Sequence, residues 1–330
     1  MKCVLQAKKF KKSFLFLAAL SCLLWIVYTS FRPQLPKYTE PLVFYSSETR
    51  DSLKWTLLSA ASEAQNSIFI SAFSLEEPSF LKTLNKKATS GVEVTAFYDP
   101  KHTRKYALKT LTSEVLLSPK TFSALAHRKL LIIDNERLFF GTANFTKSSL
   151  SMYSNSLIGL YNPRLCLWLK KACLENKNSS QFLSPELKLY LLPNPNALEE
   201  LLTVINKAKI SIQLALFTCT HPQILEALEK AANRGVRVEG VFDRKVKLGL
   251  DAKANCLEVR TYRRLGLMHQ KLALIDGEIL YIGSANWTSA AFTQNEDLFA
   301  LITLKSASQK KKLQALFYRL RSASQKQRFF

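Results

Sequence analysis

The chain has 330 residues, 47% of them hydrophobic, which is enough for one large domain or two smaller ones with a sizeable core. Its net charge of +22 favours a polyanionic partner, such as nucleic acid, anionic lipid or a phosphate-bearing substrate, without choosing among them. The six cysteines form no CxxC pair and show no zinc spacing, which argues against a metal-stapled or disulfide-dense fold, and most of them are expected to be buried.

The N-terminal region has the pattern of a membrane anchor. A basic segment, residues 1–12, contains five lysines and precedes the uncharged run SFLFLAALSCLLWIVYTSF at 13–31, which is long enough to cross a bilayer as a helix. A secretory signal peptide has the same layout, but no convincing small-x-small cleavage site follows, so we favour an uncleaved signal anchor. The lysines predict a cytoplasmic N-terminus with the rest of the chain on the extracytoplasmic side, or secreted if the segment is cleaved.

The rest of the chain is an internal repeat. Residues 67–99 align without a gap on residues 211–243 at an offset of 144, so that Phe73 falls on Phe217 and Asp99 on Asp243. A second block, HRKLLIIDNERLFFGTANFT at 127–146, aligns on HQKLALIDGEILYIGSANWT at 269–288. The repeat predicts two similar halves related by a pseudo-twofold axis, which can form one shared cleft.

Each copy alternates predicted helices and strands. A helix, a strand, a second helix ending at Gly91 or Gly235 and another strand precede the motif strands, and a strand with a basic helix closes each copy. This alternation predicts an α/β fold with helices covering a largely central sheet. The predicted boundaries are a first module at 42–177, a linker at 178–195, a second module at 196–322 and a basic tail at 323–330.

A chemical motif recurs in both copies with identical internal spacing: His-x-Lys, an aspartate, and Gly-[Ser/Thr]-x-Asn. Because residues i and i+2 of a strand face the same side, the histidine and lysine of each copy project together. An ammonium group and an Asn amide can hold phosphate oxygens while an imidazole attacks phosphorus or transfers a proton. The motif residues are His127, Lys129, Asp134, Gly141, Thr142 and Asn144 in the first copy, and His269, Lys271, Asp276, Gly283, Ser284 and Asn286 in the second.

The aspartates Asp134 and Asp276 can form turn hydrogen bonds or orient a motif lysine instead of touching substrate. His102 and His221 lie outside the motif, and we expect structural or surface roles for them. No metal-ligand cluster, Walker loop or dinucleotide fingerprint is present, so the sequence predicts no metal and no cofactor.

These motifs resemble the duplicated HKD signature of the phospholipase D superfamily, over roughly residues 42–322. The resemblance implies two α/β/α modules packed face to face around one active site, complete in a monomer, and a covalent phosphohistidine with no obligatory metal. It implies one histidine as nucleophile and the other as general acid and base. By analogy we assign these roles to His127 and His269 respectively, with Lys129, Asn144, Lys271 and Asn286 holding the phosphate and Thr142 and Ser284 in support.

The chain departs from the family pattern in its orienting acids. The family has an acidic residue about 25–30 positions after each motif histidine, and the second copy carries Glu296 and Asp297 there. The first copy carries Asn155 and Ser156. We therefore expect His269 to keep an acidic partner within its own module and His127 to have a neutral one, which stabilises an imidazolium less.

Three functions stay open from the sequence. The first is a membrane-anchored phospholipase D or transphosphatidylase acting on a phospholipid headgroup, since an anchor holds the cleft near lipid and basic surface favours anionic headgroups. The second is a nuclease of the same superfamily, which suits the charge of +17 that remains when the five lysines of residues 1–31 are removed. The third is a noncatalytic protein that binds anionic lipid or nucleic acid.

Overall fold

The computed structural model describes residues 32–122, 124–244 and 256–327, together with Phe16, Leu20 and Ser21. Apart from those three residues, the predicted basic segment 1–12 and anchor 13–31 lie outside the described residues. Within the described part of the chain, no helix has both the length and the apolar character that a membrane span requires. The chain divides into two units, Met1–Gln34 and Leu35–Phe330, and the fold below is that of the second unit.

The first half forms a mixed sheet of seven strands in the order β1-β7-β6-β5-β2-β3-β4. Strands β2, β3 and β4 run parallel, and the other neighbours pair antiparallel. A single 3-10 turn, Ser47–Thr49, follows β1. The elements are β1 Leu42–Ser46, α1 Leu53–Glu63, β2 Ser67–Ala72, α2 Pro78–Thr89, β3 Glu93–Tyr98, α3 Lys105–Leu108, β4 Val115–Pro119, β5 Lys129–Ile133, β6 Arg137–Gly141, α4 Lys147–Ser151, β7 Ser156–Tyr161 and α5 Pro163–Leu174.

The second half forms a nine-stranded sheet in the order β16-β12-β11-β10-β13-β14-β15-β9-β8. Its elements are β8 Gln181–Leu183, β9 Leu187–Leu191, α6 Pro195–Lys207, β10 Ser211–Leu216, α7 Pro222–Asn233, β11 Arg237–Phe242, β12 Leu257–Tyr262, β13 Lys271–Ile275, β14 Ile279–Gly283, α8 Ser289–Thr293, β15 Leu298–Thr303, α9 Ala307–Ser322 and β16 Ser324–Lys326.

The seven central strands of the second sheet repeat the order of the first, so the predicted duplication of an α/β unit is confirmed. The predicted linker at 178–195 contains β8 and β9, and β9 pairs with β15 as β1 pairs with β7. Strand β16 lies in the predicted tail and pairs with β12. The edge strands β8 and β16 have three residues each, which is too short for an alternating pattern to be recognised in the sequence.

Helices cover both faces of the two sheets. One apolar core joins the first sheet to α1 and α2, and another joins the second sheet to α6 and α7. A third core contains residues of both sheets together with α5 and α9, so these two closing helices pack in the layer that the modules share. Both α5 and α6 begin with proline directly after a capping asparagine, Asn162 or Asn194, whose side chain accepts a backbone N–H of the first turn.

Three cysteines within the described residues, Cys166, Cys173 and Cys219, are buried, and Cys256 is partly buried. None of the four forms a disulfide. Burial raises the pKa of the Cys166 and Cys219 thiols to about 12, which keeps them protonated and unreactive at neutral pH. The predicted role of these cysteines as small core residues is therefore confirmed.

Candidate active site

The two motifs lie at equivalent ends of the central strands of the two sheets. In the first sheet, β5 begins at Lys129, opposite Ala72 at the end of β2, and β6 ends at Gly141, opposite Leu157 near the start of β7. The second sheet repeats this arrangement with Lys271 opposite Leu216 and Gly283 opposite Phe299. Because neighbouring strands begin and end together, residues far apart in sequence meet at one edge in each module.

Backbone hydrogen bonds cross from one module to the other beside each motif histidine. His127 donates its backbone N–H to Glu296 O at 2.8 Å, and His269 donates to Ser154 O at 2.9 Å. The neighbouring residues form matching parallel bridges, Ala126 with Glu296 and Ser154 with Met268. These contacts are related by the internal repeat, so both histidines are fixed at the junction of the modules.

The orienting partner of His127 comes from the second module. Asp297 Oδ1 lies 2.8 Å from His127 Nδ1, and both side chains are buried. An ionised carboxylate only accepts hydrogen bonds, so Nδ1 carries the proton and a neutral ring keeps its lone pair on Nε2. His127 is therefore held as the tautomer that a nitrogen nucleophile requires.

The partner of His269 comes from the first module. Asn155 Oδ1 lies 3.1 Å from His269 Nδ1. Asn155 Nδ2 lies 2.8 Å from the Ser149 carbonyl oxygen, which can only accept, so the amide orientation is fixed by its surroundings. His269 Nδ1 is then the donor, and His269 also leaves Nε2 without the proton when the ring is neutral.

These contacts correct the predicted pairing within each module. We expected the acid to serve His269 and Asn155 to serve His127, but the partners are exchanged because the segments before β7 and β15 each lie against the opposite histidine. Asp297, and not Glu296, is the orienting carboxylate. Ser156 has no contact with either histidine and instead donates from its hydroxyl to Ser46 at 3.0 Å.

The motif hydroxyl groups hold the orienting residues. Thr142 Oγ1 donates to Asn155 Oδ1 at 2.7 Å, and Ser284 Oγ donates to Asp297 Oδ1 at 2.5 Å. Each hydroxyl oxygen also accepts a backbone N–H from the start of the neighbouring strand, at Ser156 or Leu298. The Gly-[Ser/Thr] turn therefore acts on the histidine of the other module through the residue between them.

Two lysines and two aromatic rings lie next to the motif histidines. Lys129 Nζ donates to His127 O at 2.7 Å, and Lys271 Nζ donates to His269 O at 3.1 Å. Lys129 Nζ lies 4.9 Å from the centre of the Phe73 ring, whose centroid is 4.7 Å from that of His127. Phe217 contacts Lys271 and His269 in the same way. The repeat alignment had matched Phe73 with Phe217, but their place beside the histidines was not predicted.

The motif asparagines lie in the turns that follow β6 and β14. Asn144 and Asn286 are partly buried, and the Oδ1 atom of each is buried without a hydrogen-bond partner among the described residues. A buried amide oxygen without a hydrogen bond is uncommon in folded proteins. Because Oδ1 is an acceptor, a phosphate oxygen could bind these amides only through their Nδ2–H groups, and the role of both amides in holding a phosphate stays a prediction.

Asp134 and Asp276 lie away from the histidines. Asp134 accepts the backbone N–H groups of Gln65, Asn66 and Ser67, and Asp276 accepts those of 209–211. These bonds lower the pKa of both carboxyls against the opposing effect of burial. Of the two alternatives predicted, turn hydrogen bonding is the one observed, and neither aspartate orients a lysine.

Glu296 has a different role from the one predicted. Its Oε1 lies 2.9 Å from Arg128 NH1, with both side chains buried. Arg128 also donates to Asn178 Oδ1 at 2.7 Å. Since Arg128 and Glu296 belong to opposite halves of the repeat, this ion pair joins the modules directly behind the motif. The contact was not predictable from the sequence pattern.

Burial keeps the histidines neutral and weakens the lysines as cations. Burial lowers the pKa of His127 to about 4 despite the opposing effect of Asp297, and it lowers that of Lys129 to about 7. Burial and the neighbouring lysines lower the pKa values of His269 and Lys271 well below their usual ranges. A bound anion offsets this repulsion, so the site favours a negatively charged ligand.

The arrangement can perform nucleophilic substitution at phosphorus. It presents two imidazoles with available Nε2 atoms, two lysine amino groups and two amides from equivalent positions of the modules. Among the described residues, no group of three or more His, Cys, Asp or Glu side chains could hold a metal ion. His221 lies outside this set, at the start of α7 with its ring 5.7 Å from that of Phe292.

Comparison with known proteins gives consistent matches. A family model described as "Cardiolipin synthase, PLD-like domain" matches residues 57–174 and 201–321. The mitochondrial cardiolipin hydrolase of Canis lupus familiaris is 35% identical over 108 residues, 31% of this chain and 42% of that protein. Cardiolipin synthase A of Wigglesworthia glossinidia brevipalpis is 33% identical over 130 residues, 32% of this chain and 26% of that protein. The matches therefore span less than half of these curated relatives.

A solved structure covers more of the chain. The crystal structure of phosphatidylserine synthase from Haemophilus influenzae Rd KW20 matches 89% of this chain and 89% of its own, with a TM-score of 0.67 and 12% identity. At that identity the likeness concerns the fold, and it includes both modules.

Proposed function

The chain belongs to the phospholipase D superfamily, since the family model covers both modules, and on that premise we propose that it is a phosphodiesterase acting on the headgroup phosphodiester of a phospholipid. One observation carries the proposal: two neutral imidazoles, held across the module junction by Asp297 and Asn155, share a site with two buried lysines. Such a site suits a reaction in which an anionic phosphodiester is attacked by one imidazole and protonated by the other.

In the first step, we assign His127 as the nucleophile. Its Nε2 lone pair attacks phosphorus, the bond to the leaving alcohol breaks, and an N–P bond forms. Asp297 stabilises the positive charge that develops on the ring while keeping Nδ1 protonated. His269 gives a proton to the leaving oxygen. The negative charge of bound substrate favours the protonated form of His269 and opposes burial, which lowers the pKa of that ring well below its usual range.

In the second step, His269 accepts a proton from water or from an acceptor alcohol, whose oxygen then attacks phosphorus and breaks the N–P bond. Water gives hydrolysis, and an alcohol gives headgroup transfer. Lys129, Lys271, Asn144 and Asn286 hold the nonbridging oxygens through both steps, so the charge of the five-coordinate transition state is met by fixed donors. A single chain supplies all of these groups, and we expect a monomer to be active.

A lipid substrate is favoured by the functions for which the relatives are named. They include a cardiolipin hydrolase and a cardiolipin synthase, which act on or form phospholipids. The apolar segment at 13–31 supports the same choice, because an anchor there would hold the site beside a membrane. We propose that the N-terminus is cytoplasmic and that the catalytic unit lies on the extracytoplasmic side.

Nucleic acid is the second candidate substrate. The chain beyond residue 31 keeps a net charge of +17, and basic surface is the main source of nonspecific affinity for a phosphate backbone. The chemistry at phosphorus would be the same, so turnover assays with both substrate classes must separate the two.

The test is turnover by the purified full chain in detergent micelles. Labelled phosphatidylglycerol, phosphatidylcholine and single-stranded DNA are offered to the wild type, His127→Ala and His269→Ala, with His221→Ala as a histidine control outside the site. We expect headgroup release from lipid by the wild type and the control, reduced by about 1,000-fold or more in both site variants. Turnover of DNA alone would contradict the lipid proposal, and turnover of no substrate would favour a noncatalytic binding protein.

A further inference from the structure

A third histidine stands beside the motif site in the first module. The His102 ring stacks on Phe73 with 4.2 Å between ring centroids and 28° between ring planes. Phe73 in turn lies 4.7 Å from His127, centroid to centroid. The two imidazoles are therefore no farther apart than the sum of these distances, which is within the span of two phosphate groups joined by a short linker.

His102 is held in a defined orientation. Its Nδ1 lies 3.1 Å from Asp99 Oδ1, and the Asp99 side chain is buried. Asp99 also accepts the backbone N–H of Lys101 at 2.8 Å and that of Ala126 at 3.2 Å. The same carboxylate thus holds both the loop that carries His102 and the segment that leads to His127. The His102 side chain is exposed, and Nδ1 is the ring nitrogen that is directed to Asp99.

The surroundings of His102 carry an excess of positive charge. Lys101, Arg104 and Lys105 are exposed on the same loop. The acidic groups facing the loop are Asp99, which contacts His102, and Glu76, which accepts the backbone N–H of Arg104 and pairs with its guanidinium at 3.7 Å. Lys101 and Lys105 add positive charge beside these acidic groups, so this part of the surface can attract an anion.

This feature belongs to the first copy alone. At the repeat offset of 144, the position of His102 is occupied by Val246 in the second copy, while Phe73 and Asp99 are matched by Phe217 and Asp243. A role in the shared fold would be expected in both halves. A single additional imidazole on one side of a symmetric site instead suits a substrate whose two sides differ.

We propose that His102, oriented by Asp99 and Phe73, binds a second phosphate group of the substrate, so that the enzyme prefers a lipid in which two phosphodiesters share a short polyol linker. This inference rests on the proposed function and specifies its substrate class. When the second phosphate binds, His102 donates an Nε2–H to it while Nδ1 stays against Asp99, and Lys101 adds charge without a fixed contact.

The test compares cardiolipin with phosphatidylglycerol, which has the same glycerol headgroup linkage and one phosphate. The full chain is assayed in mixed micelles at equal mole fraction of substrate, with a sulfate-headgroup lipid equalising surface charge. We expect wild type to favour cardiolipin in kcat/KM. His102→Ala should lower that value for cardiolipin by about tenfold, through KM, and leave phosphatidylglycerol within about twofold. His102→Arg should restore part of the difference, and Lys82→Ala, on the exposed face of α2, should match wild type.

Equal losses on both lipids in His102→Ala, or no loss on either, would overturn the inference while leaving the proposed function intact. If wild type turns over neither lipid but does cleave single-stranded DNA, the proposed function fails first, and the inference fails with it. Folding is checked by the thermal midpoint of each variant, since His102 is exposed and its replacement should leave the midpoint within about 2 °C.

Discussion

Two hydrogen bonds across the module junction make the histidines unequal. His127 faces the carboxylate of Asp297, and His269 faces the amide of Asn155. Both partners accept from Nδ1, so both rings present Nε2, but only the carboxylate stabilises a positive ring. This difference favours His127 as the nucleophile, because the ring of the nucleophile carries a positive charge for as long as the covalent intermediate exists.

Replacing Asp297 with asparagine should give both motif histidines an amide as their orienting partner. Asp297→Asn keeps an acceptor for His127 Nδ1 but removes its charge, so formation of the covalent intermediate should slow by about 100-fold. The measurement is kcat with phosphatidylglycerol, and Glu226→Gln, on the exposed face of α7, is a control for the loss of one carboxylate. An Asp297→Asn variant with unchanged kcat would contradict the role given to the carboxylate.

Replacing Asn155 with aspartate should have a different signature. A carboxylate beside His269 favours the protonated ring, so the pKa of His269 should rise toward its ordinary value. The pH profile of kcat should then move to higher pH, because His269 is the proton donor to the leaving group. A profile that keeps its position would show that Asn155 does not act through His269.

The affinity for substrate should fall as the pH rises above 7. Burial lowers the pKa of Lys129 to about 7, so its charge is present below that pH and is lost above it. KM for phosphatidylglycerol should therefore increase by about tenfold between pH 6 and pH 8.5. Lys129→Arg, which stays charged, should flatten this rise. A wild-type KM that is constant up to pH 10 would be inconsistent with a buried lysine of low pKa.

At the scale of the element, the sequence predicted the site's framework well. Hydrophobic runs such as LLII and LALI, bounded by turn residues, located β5 and β13, and glycines after α2 and α7 marked their ends. The exchange of Asp297 and Asn155 was not predictable, because it depends on how two loops cross between modules. Periodicity within one segment carries no information about such contacts.

The motif glycines allow close approach of neighbouring strands. A Cβ at Gly141 would lie 2.3 Å from Ser156 O, and one at Gly283 would lie 2.2 Å from Leu298 O. These backbone atoms belong to the strands that follow Asn155 and Asp297. Gly283→Ala should therefore displace the start of β15, lower the free energy of unfolding by about 2–3 kcal/mol and reduce kcat.

The matched control for that variant is Gly235→Ala. Its φ is +92° and nothing lies within 4 Å of its Cβ position, so it costs about 1 kcal/mol through backbone strain without a clash. Chemical denaturation and kcat are measured on both variants. If Gly283→Ala loses no more stability than Gly235→Ala and keeps full kcat, the close approach has no importance for the site.

At the scale of the molecule, the repeat predicted two modules and one shared site. The repeat did not predict the added edge strands β8 and β16, because they have three residues each and no counterpart in the first sheet. The buried pair of Arg128 with Glu296 was also missed, because the second copy has Gln270 in place of the arginine, hydrogen-bonded to Ser154 Oγ at 3.1 Å. Contacts that the repeat does not share are invisible to a comparison of its copies.

The Arg128–Glu296 pair should stabilise the junction of the modules. Removing one member leaves the other charge buried, so Glu296→Gln should lower the free energy of unfolding by about 3 kcal/mol. Arg128→Met combined with Glu296→Gln should cost less than the two single changes together. The measurement is a double-mutant cycle by chemical denaturation, and additive single effects would show that the pair does not couple the modules.

The central claim is that two unequal histidines form one site, and trapping the covalent intermediate tests this claim most directly. Wild type, His127→Ala and His269→Ala are mixed with phospholipid radiolabelled in the phosphate, quenched within milliseconds to seconds and analysed for acid-labile phosphoprotein. We predict that label accumulates on His127 in His269→Ala given a substrate with a good leaving group, and that His127→Ala carries none. Label on His269, or equal labelling of both variants, would contradict the assignment of the nucleophile.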